Sequence, residues 1–225
     1  MIEDIDKFGS YNVFKWTHDY LMKVLSTGKN PILKKQNLLT AFRKIKREDF
    51  VPENLRSSAY EDTDINIGYG CLLNKPTVIA EMLSLMAPAW GGTYLDIGTG
   101  SGYIAALLGV AAGETGKVYS IERVQFLVDI AKLNLAKYSE VKNVTIYLKD
   151  GSAGLKEMAP YDGIHISFAF EQVPDIISNQ LKIGGRLICP TVDDDVRVVE
   201  RISDNQFKEN IVKGYFFDEG KEGIE

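Results

Sequence analysis

The sequence predicts an α/β fold: a doubly wound, mostly parallel sheet with an N-terminal helical cap and an antiparallel hairpin at its C-terminal edge. Three observations carry that prediction. From Thr93 onward, short β-like runs alternate with helical ones. Before about residue 88, apolar residues recur at helical spacing. After Pro190, two β-like runs flank the turn-like "SDNQ".

The elements follow in order. "YNVFKWTHDYLMKVL" and "PILKKQNLLTAFRKI" read as helices, and Ile32, Leu33, Leu39, Phe42 and Ile45 are expected to share a face of the second. "EDFVPENLRSSAYEDTDINIGYG" reads as a loop punctuated by Pro52, Gly68 and Gly70. "GCLLNKP" reads as a loop at the rim of a binding site. Pro76 then opens a helix, with Val78, Ile79, Met82, Leu83 and Met86 on its apolar face. "TYLDIG", "KVYSIE", "VTIYLKD", "YDGIHISFA" and "RLICPTV" read as strands. "GYIAALLGVAA", "VQFLVDIAKLNLAKY" and "VPDIISNQL" read as the helices between them, on right-handed crossovers. "VRVVERI" and "IVKGYFF" complete the sheet as a hairpin.

A chain of 225 residues fits one large domain, and no linker divides it. Residues 1–88 form the cap and its following loop, 91–192 the alternating core, and 193–225 the hairpin and tail. The net charge of −5 argues against nonspecific nucleic-acid binding, which needs a basic surface. No apolar run approaches the roughly 18 residues of a membrane span. The acidic start "MIEDIDKFGS" has no signal-peptide core. Cys71 and Cys189 suggest neither a disulfide framework nor a metal knuckle. A reducing cytoplasm is the expected location.

The strongest chemical signal is "LDIGTGSGY", between the first strand and first helix of the alternating region. Gly98, Gly100 and Gly102, with Thr99 and Ser101 between them, allow a sharp turn and a close ligand. A plain strand-to-helix turn is the alternative. Three alternating glycines in this context favour a ligand loop. A dinucleotide fingerprint sets its third glycine five positions after the first; here Gly102 comes four after Gly98. The form is acid-x-G-x-G-x-G, beginning at Asp96.

That form resembles motif I of class I S-adenosylmethionine-dependent methyltransferases. The resemblance implies a Rossmann-like fold and S-adenosyl-L-methionine as cofactor. The loop would pack against the amino-acid end of the cofactor, with Asp96 meeting its ammonium directly or through water. Glu122 ends the second strand, where an acid can accept from both ribose hydroxyls; a surface carboxylate is the bland alternative. Arg123 follows it and is grouped with the cofactor residues. Asp150 and Gly151 end the third strand. Asp-Gly is a common turn, but in the family pattern this acid faces the adenine amino group.

"FVPENLRSSAYEDTDINIGYG", "LDIGTGSGYIAALLG", "GKVYSIE", "DGSAGLKEMAPYDGIHIS" and "QLKIGGRLICP" together resemble protein-L-isoaspartate O-methyltransferases, from about residue 35 to 192. The resemblance implies methylation of the free carboxylate of L-isoaspartyl residues in damaged proteins. Proteins or peptides carrying such residues are then the partners, with no nucleic acid or membrane, and a monomer is favoured. An acceptor carboxylate with a pKa near ~4 is already ionised and needs no strong base. Positioning and a dry site would supply the rate. No Ser-His-Asp arrangement or metal site is expected. His18 lies in the helical zone, and His165 reads as a satisfied core histidine.

Three segments depart from the family pattern. "GCLLNKP" puts Leu72 and Asn74 where the family has threonine and serine. The resemblance makes Asn74 the candidate catalytic residue, donating from its amide. "SFAFEQVP" replaces a run of small residues with Phe168, Phe170 and Glu171. The tail "GYFFDEGKEGIE" lacks the family's Val-Pro-Leu-like turn. All three are expected on the acceptor side. They keep two alternatives open: methyl transfer to another carboxylate or peptide acceptor, and a catalytically weak cofactor-binding protein that acts through partners. The N-terminal 17 residues match no motif.

Overall fold

The computed structural model of the chain describes residues 15–220 and 223–225. Most of the N-terminal 17 residues, including the start of the first predicted helix, lie outside the described residues.

Helix α1 spans His18–Ser26. Thr17 caps it, its hydroxyl accepting from the Tyr20 amide at 3.2 Å. Leu21, Met22 and Leu25 are its buried stripe. Helix α2 (Gln36–Lys44) buries Leu38, Ala41 and Phe42. Ile32 and Leu33 precede this helix instead of sharing its face. The Leu33 amide is taken by the Leu25 carbonyl at 2.9 Å, and Lys35 is still extended.

The expected loop before residue 75 is instead partly a hairpin, β1 (Ile65–Gly68) and β2 (Cys71–Leu73). Tyr69 (φ 54°) and Gly70 (φ 69°) form its turn. Positive φ at both central residues matches the twist of paired strands. Helix α3 (Pro76–Met86) then buries Val78, Ile79, Met82, Leu83 and Met86, the face read from the sequence.

The main sheet contains β3 (Thr93–Ile97), β4 (Lys117–Glu122), β5 (Val144–Leu148), β6 (Tyr161–Ile166), β7 (Leu181–Thr191), β8 (Asp195–Ser203) and β9 (Gln206–Lys213). Their order is β5-β4-β3-β6-β7-β8-β9. The first five are parallel, and β7, β8 and β9 are antiparallel neighbours. This is the Rossmann-like sheet with an antiparallel edge that the sequence predicts. The hairpin is tighter than expected. Ser203 pairs with Gln206, so β9 starts early and "GYFF" lies past its end.

Helices α4 (Tyr103–Ala112) and α5 (Gln125–Leu135) cover one face with α3. Every residue of α4 is buried, because the sheet lies on one side and α2 on the other. Leu107 and Leu108 are fully buried, each stabilising the fold by about 1.5–3 kcal/mol. The opposite face carries Leu95, Ile97, Ile164, Ile166 and Leu187 under a thinner cover. There "VPDIISNQL" yields only the four-residue α6 (Asp175–Ser178). It stops because Leu181 at once pairs with Tyr161, and Arg201 holds the Asn179 and Leu181 carbonyls.

Candidate active site

Strand order reverses at β3, which has β4 on one side and β6 on the other. In open α/β sheets such a switch point opens a crevice beyond the C-terminal strand ends. A cavity of about 740 Å³ lies there. Gly98, Gly100, Glu122, Arg123 and Gly151 line it, and so does Asn74.

The glycine loop is held closely on both sides. Gly98 (φ 91°) and Gly100 (φ 54°) have left-handed backbones. A Cβ at Gly98 would press on Ser167 Cβ at 3.1 Å, and one at Gly100 on Ile67 Cδ1 at 3.0 Å. The Gly98 and Thr99 amides both donate to the Ile121 carbonyl, tying the loop to β4.

Asp96 is fully buried behind this loop and does not line the cavity. Its Oδ2 accepts from Ser120 Oγ at 2.8 Å, and its Oδ1 meets His165 Nδ1 at 2.9 Å. Thr99 Oγ1 joins the chain through Ser120 at 2.6 Å. His165 is therefore a core histidine, but only half satisfied: its Nε2 is buried without a hydrogen-bond partner. Ser101 and Gly102 also stand behind the cavity, where Asn134 Nδ2 donates to the Ser101 carbonyl at 3.0 Å.

Glu122 is 5% exposed at the cavity wall. Its Oε2 accepts from the Gly100 amide, and its Oε1 from the Arg123 and Val124 amides. One carboxylate thus fixes the glycine loop against the next turn. Asp150 lies between the lining residues Lys149 and Gly151. Burial alone would raise its carboxyl, but hydrogen bonds from the Ser152 and Gly223 amides, with Arg123 nearby, hold it below the usual carboxylate range. The tail also engages Arg123. Its Nε donates to the Gly223 carbonyl at 2.8 Å and its Nη1 to Glu225 Oε2 at 2.9 Å.

Asn74 is half-buried, just beyond β2, and forms part of the opposite lip with Cys71 and Leu72. Three clamps hold that lip, none of them singled out by the sequence. Asp64 Oδ1 accepts from the Lys75 amide at 2.7 Å. Asp62 accepts from the Thr77 amide and hydroxyl. Arg47, completely buried, donates from Nη2 to the carbonyls of Leu73 (3.2 Å) and Thr63 (3.4 Å). Its guanidinium lies 5.6 Å from the Tyr103 ring centroid at the start of α4. Burial lowers Arg47 to about 10, so it stays charged at neutral pH. Its partners are backbone carbonyls, which carry no side-chain signature.

The substitution of bulky residues after β6 divides in two. Phe168 lines the cavity, whereas Glu171 is exposed and does not. The tail lines it too, through Phe216, Phe217 and the residues to Gly220. Among the described residues, no group of three His, Cys, Asp or Glu side chains is placed to hold a metal, and no helix is long and apolar enough to cross a membrane.

A switch-point crevice, a glycine loop after β3 and an acid ending β4 are the features of a Rossmann-like methyltransferase fold. The chain matches the protein-L-isoaspartate(D-aspartate) O-methyltransferase family over residues 17–217, and it belongs to that family. It is 43% identical to a protein-L-isoaspartate O-methyltransferase of Methanococcoides burtonii over 155 residues, 69% of this chain and 76% of that one. It is 39% identical to a namesake from Methanospirillum hungatei over 174 residues, 77% of this chain and 79% of that one. A Plasmodium falciparum chain described as a protein-L-isoaspartate O-methyltransferase, in complex with S-adenosyl-L-homocysteine, shares the fold. Its TM-score is 0.78 at 21% identity, covering 91% of this chain and 98% of that one.

Proposed function

We propose that this chain is an S-adenosyl-L-methionine-dependent carboxyl methyltransferase that acts on L-isoaspartyl residues of damaged proteins. The observation that carries the reading is one cavity lined by the glycine loop, Glu122 and Asn74 together.

The residues fit the cofactor. A carboxylate has about four lone-pair sites, and Glu122 spends three on amides, so it keeps capacity for a ribose hydroxyl. Ser167 Oγ, on a cavity-lining residue, is buried without a hydrogen-bond partner. Gly98 and Gly100 would admit the amino-acid end, Glu122 would hold the ribose, and Asp150 would face the adenine amino group. Asp96 would act from behind, fixing the loop through Ser120 and Thr99. When bound, S-adenosyl-L-methionine supplies a methyl group on a positively charged sulfur.

Asn74 would donate from its amide to the acceptor carboxylate and orient it. No residue has to remove a proton, because that carboxylate is ionised well above a pKa of ~4. The chain's work is alignment and exclusion of water. The same reading has the protein working as a monomer in the cytoplasm, on peptide chains and not on nucleic acid.

The test is incubation with methyl-labelled S-adenosyl-L-methionine and paired peptides containing L-isoaspartate or L-aspartate. Base-labile label on the isoaspartyl peptide alone is expected. Cofactor binding without transfer to it would sink the reading. Transfer to a different carboxylate would support the second acceptor class that Asn74 leaves open.

A further inference from the structure

Phe168 lies two residues beyond β6, where the family pattern calls for small residues and where the acceptor was expected. Its ring turns toward the glycine loop. A Cβ built at Gly98 would meet Phe168 Cδ1 at 3.3 Å, and one at Gly151 would meet its Cζ at 3.7 Å. The ring therefore lies between the glycine loop after β3 and the turn after β5, which folds back against Ile97. The end of β4, which carries Glu122, lies between those two strands.

The tail fixes the ring from its other edge. A Cβ at Gly220 would overlap Phe168 Cδ2 and Cε2. Gly220 is held in place because its amide donates to the Ala169 carbonyl at 3.0 Å, while the Ala169 amide donates to the Asp218 carbonyl at 2.8 Å. Phe170 lies 5.2 Å from Phe168, centroid to centroid. The family match stops at residue 217, so Gly220 lies beyond it.

We propose that Phe168 is a further cofactor-binding residue, and that Gly220 is the matched small residue that lets the tail lock its ring in place. The inference rests on the methyl-transfer reading. The ring supplies an apolar wall for the adenosine between Glu122 and Asp150. Each base offers a π-face that an aromatic side chain can pack against. The bulky residue after β6 and the altered tail then form one device at the cofactor end.

The experiment is calorimetric titration of S-adenosyl-L-homocysteine into the full chain and four variants, each checked for folding by thermal melting. Phe168→Ala is expected to raise Kd about tenfold, the order expected for a base–aromatic contact. Phe168→Leu, which keeps apolar bulk and protects the fold, is expected to lose a smaller part of that. Gly220→Val should displace the ring and weaken binding to a similar degree. Added to Phe168→Ala, Gly220→Val should cost nothing more, since no ring remains to displace. The KM for isoaspartyl peptide should stay within about twofold throughout.

Folded Phe168→Ala and Phe168→Leu proteins that bind as tightly as wild type, or more tightly, would overturn the inference. So would a raised peptide KM with unchanged Kd, which would return Phe168 to the acceptor side. A wild-type chain that fails to bind would instead remove the methyl-transfer reading, and this inference with it.

Discussion

At the glycine-loop end of the cavity, Asp96 and Glu122 are 0% and 5% exposed, and all four of their carboxylate oxygens accept hydrogen bonds. At the hairpin lip, Tyr69 and Leu72 are 53% and 43% exposed. The lip is anchored from below, by Arg47 on two backbone carbonyls and by Asp62 and Asp64. A small cofactor with fixed chemistry needs a preorganised wall. On the proposed reading a peptide acceptor brings its own surface, and its docking would cover the exposed apolar side chains at the lip. Scaffold strands set the first end and a hairpin sets the second, as expected when binding residues ride on loops over a rigid frame.

Breaking the buried end should cost most. Asp96→Ala strands Ser120 and His165 Nδ1 in the core, and chemical denaturation should show a loss of about 3 kcal/mol. A loss below about 1 kcal/mol would mean the network is not what holds the loop. Glu122→Gln comes next. It replaces one acceptor oxygen by a donor facing backbone amides, so affinity for S-adenosyl-L-homocysteine should fall roughly thirtyfold, about 2 kcal/mol. Peptide KM should barely move.

Arg47→Lys sharpens the contrast from the other side. It keeps the charge but loses the planar guanidinium whose Nη2 holds both the Thr63 and Leu73 carbonyls. Peptide KM should rise about tenfold with cofactor Kd within about twofold. Equal changes in both would mean the two ends are not separable. Asn74→Ser should keep or raise methyl transfer if a donated hydrogen bond is all the position supplies. A large loss would give Asn74 an acceptor-specific role of its own.

The smallest effect concerns pH at the cap. Desolvation lowers the His18 pKa below 6.5, despite its Phe42 carbonyl contact. His18 is therefore neutral in the fold, and the unfolded chain binds the proton first as pH falls. Its stabilising contribution is complete above 6.5 and is lost as pH drops through the lowered folded value. Melting temperature should decline over that window. His18→Gln should flatten the decline, and an unchanged slope would exclude His18 as its source.

Much of the glycine-loop end was legible because its signals are local. Gly98, Gly100 and Glu122 lie at strand ends that short periodic runs define, and the apolar face of α3 follows from residue spacing alone. Asp96 was found, but its partners Ser120 and His165 were not, since they come from neighbouring strands. The β1–β2 hairpin was missed because Tyr69 in a left-handed turn is not the usual Asn-Gly signal. Arg47 was missed because carbonyl partners leave no pattern in sequence. The direction of the Phe168 ring across the strand ends was not legible, because it is a tertiary fact. Resemblance gives the position, not that direction.

The most direct test is a crystal structure of the chain with S-adenosyl-L-homocysteine and an L-isoaspartyl peptide. The ribose is expected on Glu122, the sulfur directed toward the lip, and the isoaspartyl carboxylate within hydrogen-bond reach of the Asn74 amide. A nucleoside away from Glu122, or a peptide whose carboxylate lies clear of Asn74 and the sulfur, would contradict it.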